Sequence, residues 1–477
     1  MTPPPALAAS REHTAAKAFA PIGDRTSMTT TDGLADLVDE VSYDDLSEDV
    51  REELKKRVLD SVGIAIGALG ADATESVRRT VAETAGGDAA RIWGSEKRAS
   101  PTGAATYNTS LTRYLDFMDS FLAPGETPHP SDNIGSLIAC GEHADASGTQ
   151  LIEAVGTSYE IQGELAWNAP VRDRGYDHVT HTVISAAAGS GKILGLDHEQ
   201  LRNAIGIAGT AHNALRVTRT GGINEWKGIA SANAARNAVY SALLARNGME
   251  GPVDLFEGQK GWKQVISGDF SVDLDPSCER VFDTMTKRYV AETYAQSAVE
   301  GVIELAEEAD IDPEQVNSIH LDTFHGAKLI IGGGEGSRYE VETKAQADHS
   351  LPYMLAAALI DREMTNAAYD PERIRQEDVQ ELLRKVEVEE NDELTDRFEG
   401  GEMPAVIDIA LGDDSTRHVE KDAFNGHPTN PMTWEQVEEK FTTMTEERYD
   451  EDRREEIVDV VENLEDHAVA DLTALLD

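Results

Sequence analysis

The sequence YLDFMDSFLAPGETPHPSDNIG, residues 114–135, is the most informative stretch of this 477-residue chain. It opens with apolar residues typical of the end of a helix and then breaks into a loop with three prolines. Its polar residues include carboxylates, hydroxyls and one histidine, namely Asp116, Asp119, Ser120, His129, Ser131 and Asp132. A rigid loop that carries such groups can position acid/base chemistry. On spacing alone, the commoner alternative is a polar loop whose Asp and Ser residues cap the next helix.

The length and composition predict a multi-domain protein without a membrane span. A chain of 477 residues is too long for one ordinary core, and its 40% hydrophobic content suffices for two or three domains. No apolar run approaches the ~20 residues of a transmembrane helix. Residues 1–29 lack a secretory signal, and their Pro, Ala, Ser and Thr content indicates a disordered extension, with Met28 as an alternative translation start. The two cysteines, Cys140 and Cys278, provide no metal-ligand set and fit a reducing cytoplasm.

The acidic excess is the strongest compositional signal. The 89 Asp and Glu residues outnumber the 42 Lys and Arg, which gives a net charge of −47. The acidic residues are spread along the chain and do not form a tail. They are therefore explained better by adaptation to a salt-filled cytoplasm, where salt screens self-repulsion, than by a basic partner. Nucleic-acid binding is strongly disfavoured, since phosphate contacts need clustered Lys and Arg.

The interval 171–230 departs from this acidic background. It holds seven Lys/Arg against five Asp/Glu, together with four histidines. The basic residues are Arg172, Arg174, Lys192, Arg202, Arg216, Arg219 and Lys227, and the histidines are His178, His181, His198 and His212. A binding site for a small polyanion would want this balance. Packed helices with few surface positions to acidify would give a similar composition, so both interpretations stay open.

Lys227 follows a loop at residues 221–224 and is predicted to lie in the first turn of a long, Ala-rich helix. The free amides of a helix start, together with an ammonium group, make a receptor for a carboxylate. The alternative is a surface lysine whose alkyl stem covers apolar neighbours.

The motifs in this order resemble the MmgE/PrpD family, above all its 2-methylcitrate dehydratases. LDFMDS at 115–120 and HPSDN at 129–133 resemble the family's signature loop. Further segments that are similar to the family follow the same order, and they cover the chain from about residue 34 to its end: LSEDVREELKKRVLDSVGIAIGALG (46–70), ARIWGS (90–95) with SPTGAATYNTSL (100–111), YEIQG (159–163), 172–196, 216–248, TKRYVAETYAQSAVEGVIELAEEA (286–309), VETKAQADHSLPYMLAAALIDREMT (341–365) and FNGHPTNPMTWEQVEEKF (424–441).

The resemblance assigns further site residues. His178 matches a histidine that the family uses at its active site, Lys227 matches a lysine implicated in substrate binding, and Lys287 matches a lysine that faces the site. Two positions depart from the family: Val290 replaces a common proline, and Tyr294 stands where dehydratases commonly have histidine.

The implied fold is a large all-helical domain interrupted by a smaller α+β lid domain. The helical domain is predicted to comprise residues 30–282 and 413–477, and the lid residues 283–412. Periodicity itself predicts strands in the later part of the chain, at Val316–Thr323, Val386–Glu389, Ala405–Leu411 and Arg417–Val419. The site is expected in the cleft between the two domains.

The resemblance implies a cofactor-independent hydro-lyase that dehydrates 2-methylcitrate to 2-methyl-cis-aconitate, and it suggests a homodimer. Removing water from a tricarboxylate requires a base, an acid and cations for the carboxylates. Proton transfer is expected from His129 and Asp116, oriented by Asp119 and Ser120, which also count as substrate-binding candidates. His178 is a second acid/base group or a substrate contact, and which residue is the base stays open. The carboxylates would bind Lys227 and Lys287, with Arg216 and Arg219 as looser candidates.

Three alternatives remain at this point. Relatives within the family decarboxylate cis-aconitate or epimerise iminodisuccinate. A protein of another class would keep the fold and bind carboxylates without catalysis. An iron–sulfur dehydratase is not among the alternatives, because two scattered cysteines cannot ligate a cluster, and no metal site is expected.

Overall fold

The computed structural model of the chain describes residues 28–220, 224–334 and 336–477. Residues 1–27 of the predicted extension and residues 221–223 of the predicted loop therefore lie outside the described residues. Residue 29 is already the N-cap of the first helix. Within the described ranges no helix combines the length and the hydropathy that a bilayer crossing requires.

The first half of the chain is helical, apart from short strand pairs. Its helices are α1 (Thr30–Glu40), α2 (Glu48–Gly67), α3 (Asp72–Thr84), α4 (Pro101–Tyr114), α5 (Ile134–His143), α6 (Gly148–Asn168), α7 (Val179–Ile193), α8 (His198–Ala211), α9 (Ala230–Arg246) and α10 (Trp262–Val265). The short strands are β1 (Ala90–Arg91), β2 (Arg98–Ala99), β3 (Ser120–Phe121) and β4 (Thr284–Met285), which pair β1 with β2 and β3 with β4, both antiparallel.

Local sequence signals fix several helix starts. The Ser47 hydroxyl accepts from the Val50 amide and begins α2, and Ser100 caps α4 with Pro101 at its first position, as predicted. The small residues of α7 permit the close packing expected from them, against α6 and α9. A Cβ atom added at Gly189 would lie 2.9 Å from Leu137 Cδ2 and 3.0 Å from the Ala154 carbonyl oxygen.

The later part of the chain contains a four-stranded sheet flanked by helices. Its strands are β5 (Val316–Thr323), β6 (Val386–Glu390), β7 (Ala405–Leu411) and β8 (Thr416–Lys421), in the order β6-β5-β7-β8. The β5–β6 pair is parallel and the other pairs are antiparallel. The helices of this part are α11 (Gln296–Glu308), α12 (His325–Ile330), α13 (Lys344–Ala347), α14 (Leu351–Asp361), α15 (Pro371–Ile374), α16 (Glu377–Leu382) and α17 (Asp392–Glu399).

Alternation along the strands decides which face of the sheet is buried. Ile319, Leu321 and Ile407 are buried and lie on the face that packs on α11 and α14. The predicted strands β5 and β7 are confirmed in full, and β6 and β8 are slightly longer than predicted. Because β7 and β8 form a hairpin, the predicted domain boundary at residue 412 falls inside its turn, and the sheet-containing unit runs on to Lys421.

The last helices return to the helical part of the molecule. They are α18 (Trp434–Thr445), α19 (Glu451–Glu462) and α20 (Val469–Ala474). Helices α18 and α19 pack on α2, and α20 packs on α5. The β3–β4 pair, in turn, brings the loop after α4 next to the segment that carries Lys287. The candidate residues of these two segments are therefore neighbours in space.

Candidate active site

A polar cavity of about 700 Å³ brings most of the sequence-predicted site residues together. Its wall comes from the loop after α4, the turn before α7, residues 216–220 with Lys227, the segment after β4 and residues near the start of α14. It is lined by Arg113, Asp116, Glu126, Thr127, His129, Arg172, Asp173, His178, Arg216, Arg219, Thr220, Lys227, Lys287, Glu292, Thr293, Tyr294, Ile330, Arg338 and His349.

Asp116 is the anionic centre of this cavity. It directly follows the C-cap of α4 in the left-handed region, with φ of 56°. One carboxylate oxygen lies 3.1 Å from the Arg113 guanidinium and 3.2 Å from Lys287 Nζ, and the other lies 3.0 Å from Lys227 Nζ. Burial alone would raise the pKa of Asp116, but these three cations hold it well below its usual value. Asp116 is therefore ionised at neutral pH and holds three cations together.

The two predicted lysines differ in their further contacts. Lys287 is buried and donates to the backbone oxygen of Asp116 at 2.7 Å. Burial lowers the pKa of Lys287, and the Asp116 carboxylate opposes this effect. Lys227 lies 3.1 Å from His349 Nε2, and His349 Nδ1 lies 2.5 Å from an Asp348 oxygen. The carboxylate of Asp348 thus orients His349, and His349 orients Lys227.

The position of Lys227 corrects one sequence-based prediction. The residue lies in a short 3-10 helix, Glu225–Gly228, and α9 begins only at Ala230. It is therefore not in the first turn of the long helix, and the α9 amides do not form the predicted receptor around it. Its ammonium is held instead by side chains.

His129 has a defined tautomer. Its Nδ1 lies 2.6 Å from the backbone oxygen of Asp119, which can only accept, so Nδ1 carries the hydrogen. Burial, with Arg113 and His178 nearby, holds the pKa of His129 well below its usual value. The ring is therefore neutral at physiological pH and presents the lone pair of Nε2, as a general base requires.

His178 lies next to His129 with its ring roughly perpendicular. The ring centroids are 5.2 Å apart and the planes meet at 78°. Both ring nitrogens of His178 are buried, and neither has a hydrogen-bond partner among the described residues. An Asp177 oxygen lies 3.7 Å from its Nε2, and Asp177 in turn accepts from Arg219 Nε at 2.5 Å. A buried polar ring without a partner in the wall of a cavity is suited to a ligand.

Asp119 and Ser120 lie behind the cavity wall. One Asp119 oxygen accepts from the Ser131 amide and hydroxyl at 3.1 and 2.6 Å, and the other accepts from the Tyr159 hydroxyl at 2.7 Å. The Ser120 hydroxyl lies 3.2 Å from His129 Nδ1 and 3.0 Å from the Thr293 hydroxyl. Asp119 contacts His129 through its backbone oxygen and Ser120 through its hydroxyl, and neither residue lines the cavity.

Several cavity residues were not predicted from the sequence. Arg113 precedes the signature loop by two residues, and His349 belongs to the quoted ADHS motif, so both had a local signal. Arg172 falls in the basic interval but was not singled out. Arg338 follows a glycine-rich turn and carries no local signal. Long-range folding alone brings it to the cavity.

The charge of the cavity is opposite to that of the chain. Seven Lys/Arg and four Asp/Glu line it, in a protein of net charge −47. Burial raises the pKa of two of those acids, Glu126 and Glu292, which weakens their negative charge further. Such a cavity attracts a small polyanion. Among the described residues, a cluster with metal-ligand spacing, His320, Asp322 and Glu389, lies on the outer face of the sheet and not in this cavity.

Two family models match the chain over most of its length. The model of the MmgE/PrpD N-terminal domain matches residues 32–275, and that of the MmgE/PrpD C-terminal domain matches residues 289–466. The chain belongs to the MmgE/PrpD family. The resemblance drawn from the motifs is thereby confirmed.

Curated MmgE/PrpD relatives include two different activities. The 2-methylcitrate dehydratase of Salmonella typhi is 27% identical over 395 residues, which are 78% of this chain and 80% of the relative. The 2-methylcitrate dehydratase of Cupriavidus necator is 29% identical over 359 residues, 71% of this chain and 73% of the relative. The cis-aconitate decarboxylase of Mus musculus is 24% identical over 461 residues, 92% of this chain and 91% of the relative.

One departure from the MmgE/PrpD pattern has a local explanation. The amide of Val290, where the family commonly has proline, donates to the Met364 backbone oxygen at 3.0 Å. A proline lacks this donor. Tyr294, where dehydratases commonly have histidine, lines the cavity and stacks edge-on against Phe324 and Phe398.

Proposed function

We propose that this protein is a hydro-lyase that converts 2-methylcitrate to 2-methyl-cis-aconitate and water, in propionate catabolism through the methylcitrate cycle. The observation that carries the proposal is a net-positive cavity that contains the neutral, oriented ring of His129 beside His178. The relatives named 2-methylcitrate dehydratase support the choice of substrate.

The cations of the cavity suit a tricarboxylate. Lys227 and Lys287 both contact Asp116, and three cations around one carboxylate leave an excess of positive charge at that point. A substrate carboxylate can bind there without displacing Asp116. The low pKa of Asp116 makes it a poor base. We therefore assign Asp116 to holding the lysines and not to proton transfer, which narrows the sequence-based assignment.

The two histidines divide the proton transfers. His129 Nε2 takes the proton from the carbon next to a carboxylate, and the electrons of that C–H bond form the new C=C bond. The C–O bond breaks, and the hydroxyl leaves as water with a proton from His178. The acid role requires the protonated form of His178. Burial and the Arg219 guanidinium hold the pKa of His178 well below its usual value when no anion is bound, whereas the Asp177 carboxylate, 3.7 Å away, favours the protonated form. A bound trianion would favour it further.

Turnover of three candidate substrates tests the proposal. Purified enzyme is given 2-methylcitrate, citrate or cis-aconitate, and the ultraviolet absorbance of a conjugated unsaturated acid is followed. We expect absorbance to rise with 2-methylcitrate. Binding of 2-methylcitrate by calorimetry without any rise would indicate a carboxylate-binding protein and contradict the proposed reaction.

Decarboxylation of cis-aconitate is the second candidate. The mouse relative with this name matches 92% of the chain, a larger share than the dehydratases quoted above. Release of carbon dioxide from cis-aconitate, with no product from 2-methylcitrate, would favour it. Epimerisation of iminodisuccinate remains a third possibility within the family, and it would leave both assays without product.

We also propose the domain layout predicted from the sequence, with the sheet-containing unit as a lid. Arg338 and His349 reach the cavity from that unit, whereas His129 and His178 reach it from the helical part. A cavity lined from both units is what a cleft site requires.

We also propose that the protein is a homodimer in the cytoplasm. The two cysteines are buried and free, as in a reducing compartment. Five large apolar side chains within residues 215–249 are exposed: Leu215, Val217, Trp226, Tyr240 and Met249. We propose that these exposed apolar side chains take part in self-association. Light scattering that reports a single-chain mass at working salt concentrations would contradict the dimer.

A further inference from the structure

Three arginines of the cavity have no carboxylate partner among the residues that the structure describes. Arg172, Arg216 and Arg338 all line the cavity. In the part of the chain that the structure describes, no carboxylate oxygen lies within 4.0 Å of any of their guanidinium nitrogens. By contrast, the other cavity arginines are paired: Arg113 with Asp116 and Arg219 with Asp177. Unpaired arginines are unexpected in a chain of charge −47, where carboxylates are abundant.

The positions of these arginines lower the stability of the protein when no anion is bound. Arg172 and Arg216 come from two separate 3-10 helices, Arg172–Arg174 and Arg216–Arg219, which the fold brings together. Burial lowers the pKa of the Arg216 guanidinium, and the charge of Arg172 adds to this effect. Like charges held together in a partly buried place destabilise the folded state unless an anion neutralises them.

Hydrogen bonds within the protein use only some of the donors of these three arginines. Arg338 Nε and one terminal nitrogen donate to the Ile330 backbone oxygen at 3.1 and 2.8 Å, which fixes the guanidinium at the wall. Glu126 also lines the cavity, but its carboxylate accepts from the backbone amides of Val171 and Arg172 and not from the Arg172 guanidinium. The guanidinium groups therefore keep donors available for a ligand.

We propose that Arg172, Arg216 and Arg338 form a second anion subsite, which binds a carboxylate other than the one held near Lys227 and Lys287. Guanidinium groups bind carboxylates in a planar, bidentate manner, which gives geometric selectivity as well as affinity. The subsite makes the cavity selective for substrates with three carboxylates over those with two. The substrate name rests on the proposed function, whereas the charge selectivity does not.

Two unreactive anions can measure this selectivity by calorimetry. Tricarballylate (propane-1,2,3-tricarboxylate) has three carboxylates and no hydroxyl group to eliminate, and glutarate has two carboxylates. The titrations use the full chain in about 1 M KCl at about pH 8, where carboxylates are ionised. We expect wild type to bind tricarballylate at least about tenfold more tightly than glutarate, as one or more charge-assisted contacts would give.

Variants of single arginines test which side chains cause the selectivity for three carboxylates. Arg172→Gln and Arg216→Gln should each weaken tricarballylate binding about tenfold and leave glutarate binding within about twofold. Arg174→Gln is the control, because Arg174 lies in the same 3-10 helix but is exposed and outside the cavity wall. Retained glutarate binding also shows that each variant is folded.

Two results would overturn the subsite. One is a wild type that binds both anions equally well, and the other is an arginine variant that loses both to the same degree. Turnover plays no part in these titrations. An enzyme that is inactive on 2-methylcitrate but shows the expected selectivity would therefore lose the proposed reaction and keep the subsite.

Discussion

Replacing Asp116 with asparagine tests the role of the anionic centre. The side chain of Asp116 is only 20% exposed, and three cations lie within 3.2 Å of its oxygens. Asp116→Asn keeps the size of the side chain but removes the charge, so Arg113, Lys227 and Lys287 would repel one another. Removing one partner of a buried ion pair costs about 3–5 kcal/mol. Because this site is partly open to water, we expect the free energy of unfolding to fall by about 2–4 kcal/mol.

Urea denaturation at a fixed KCl concentration of about 1 M measures this loss without changing the ionic strength. The folded-state pKa of Asp116 is lowered, so its stabilising contribution is present above the unfolded-state pKa, about 3.9, and is lost only as the pH falls through the folded-state pKa. The difference between wild type and variant should therefore be constant from about pH 5 to pH 8.

Two further variants test whether the lost stability comes from repulsion among the three cations. Asp173 lines the same cavity, is exposed, and has no cation within 4.0 Å among the described residues. Asp173→Asn should change the stability by less than about 0.5 kcal/mol. Adding Lys227→Met to Asp116→Asn should recover part of the lost stability, because it removes one of the repelling cations. The reasoning is refuted if Asp116→Asn is as stable as wild type, or if Lys227→Met recovers nothing in that background.

Three further outcomes are expected. The melting temperature should rise between dilute buffer and molar KCl, because the Debye length falls from about 30 Å at 0.01 M to about 3 Å at 1 M. A melting temperature that does not change between about 0.05 M and about 2 M KCl would contradict the halophilic interpretation. His129→Ala should lower turnover at least about 100-fold, and the acidic limb of the wild-type kcat/KM profile should lie below about pH 6.5, the ordinary histidine value; near-full activity in the variant would make His129 a loop residue only. Burial raises the pKa of Asp132 to about 7, so the unfolded state binds fewer protons than the folded state between about pH 4 and 7. Wild type should therefore lose about 1.4 kcal/mol per pH unit relative to Asp132→Asn as the pH rises through that range, and parallel urea curves across it would contradict the raised pKa.

The parts of the fold that local chemistry determines were predictable from the sequence. Ser47 and Ser100 cap their helices as the capping rules predict. Alternating apolar and polar residues predicted β5 and β7 with the bounds that the structure has, although the alternation in β5 is interrupted at Asn317 and Ser318. The hairpin turn after Leu411 was also predictable, although the predicted domain boundary at residue 412 falls inside it.

The site was predictable only where motifs carry it. Asp116, His129, His178, Lys227 and Lys287 line one cavity. Their relations to one another could not be predicted, since they depend on contacts between distant segments. The pKa of Asp116 is lowered most by Arg113, three residues before it, and further by Lys227 and Lys287, which are 111 and 171 residues away in sequence. A pattern of residues within the loop could not show that two distant lysines would contact this carboxylate.

Helix α18 contacts both the loop that carries Asp116 and the segment that carries Lys287. Its buried Lys440 lies 2.7 Å from an Asp60 oxygen of α2. The same ammonium donates to the backbone oxygens of Phe117 at 3.0 Å and of Lys287 at 2.8 Å. The Lys440 ammonium thus donates to two backbone oxygens and forms an ion pair with one carboxylate.

This arrangement connects segments that are far apart in sequence. The Phe117 oxygen lies one residue after Asp116, and the Lys287 oxygen belongs to the lysine that binds Asp116. Lys440 is 323 residues from the first and 153 residues from the second. Because an unpaired buried ammonium would be costly, the loop, the lysine segment and α2 must close around it together. The return of the chain to the helical part after the sheet therefore contributes to the site geometry, because α18 supplies the ammonium that binds the carbonyls of two segments already joined by the β3–β4 pair.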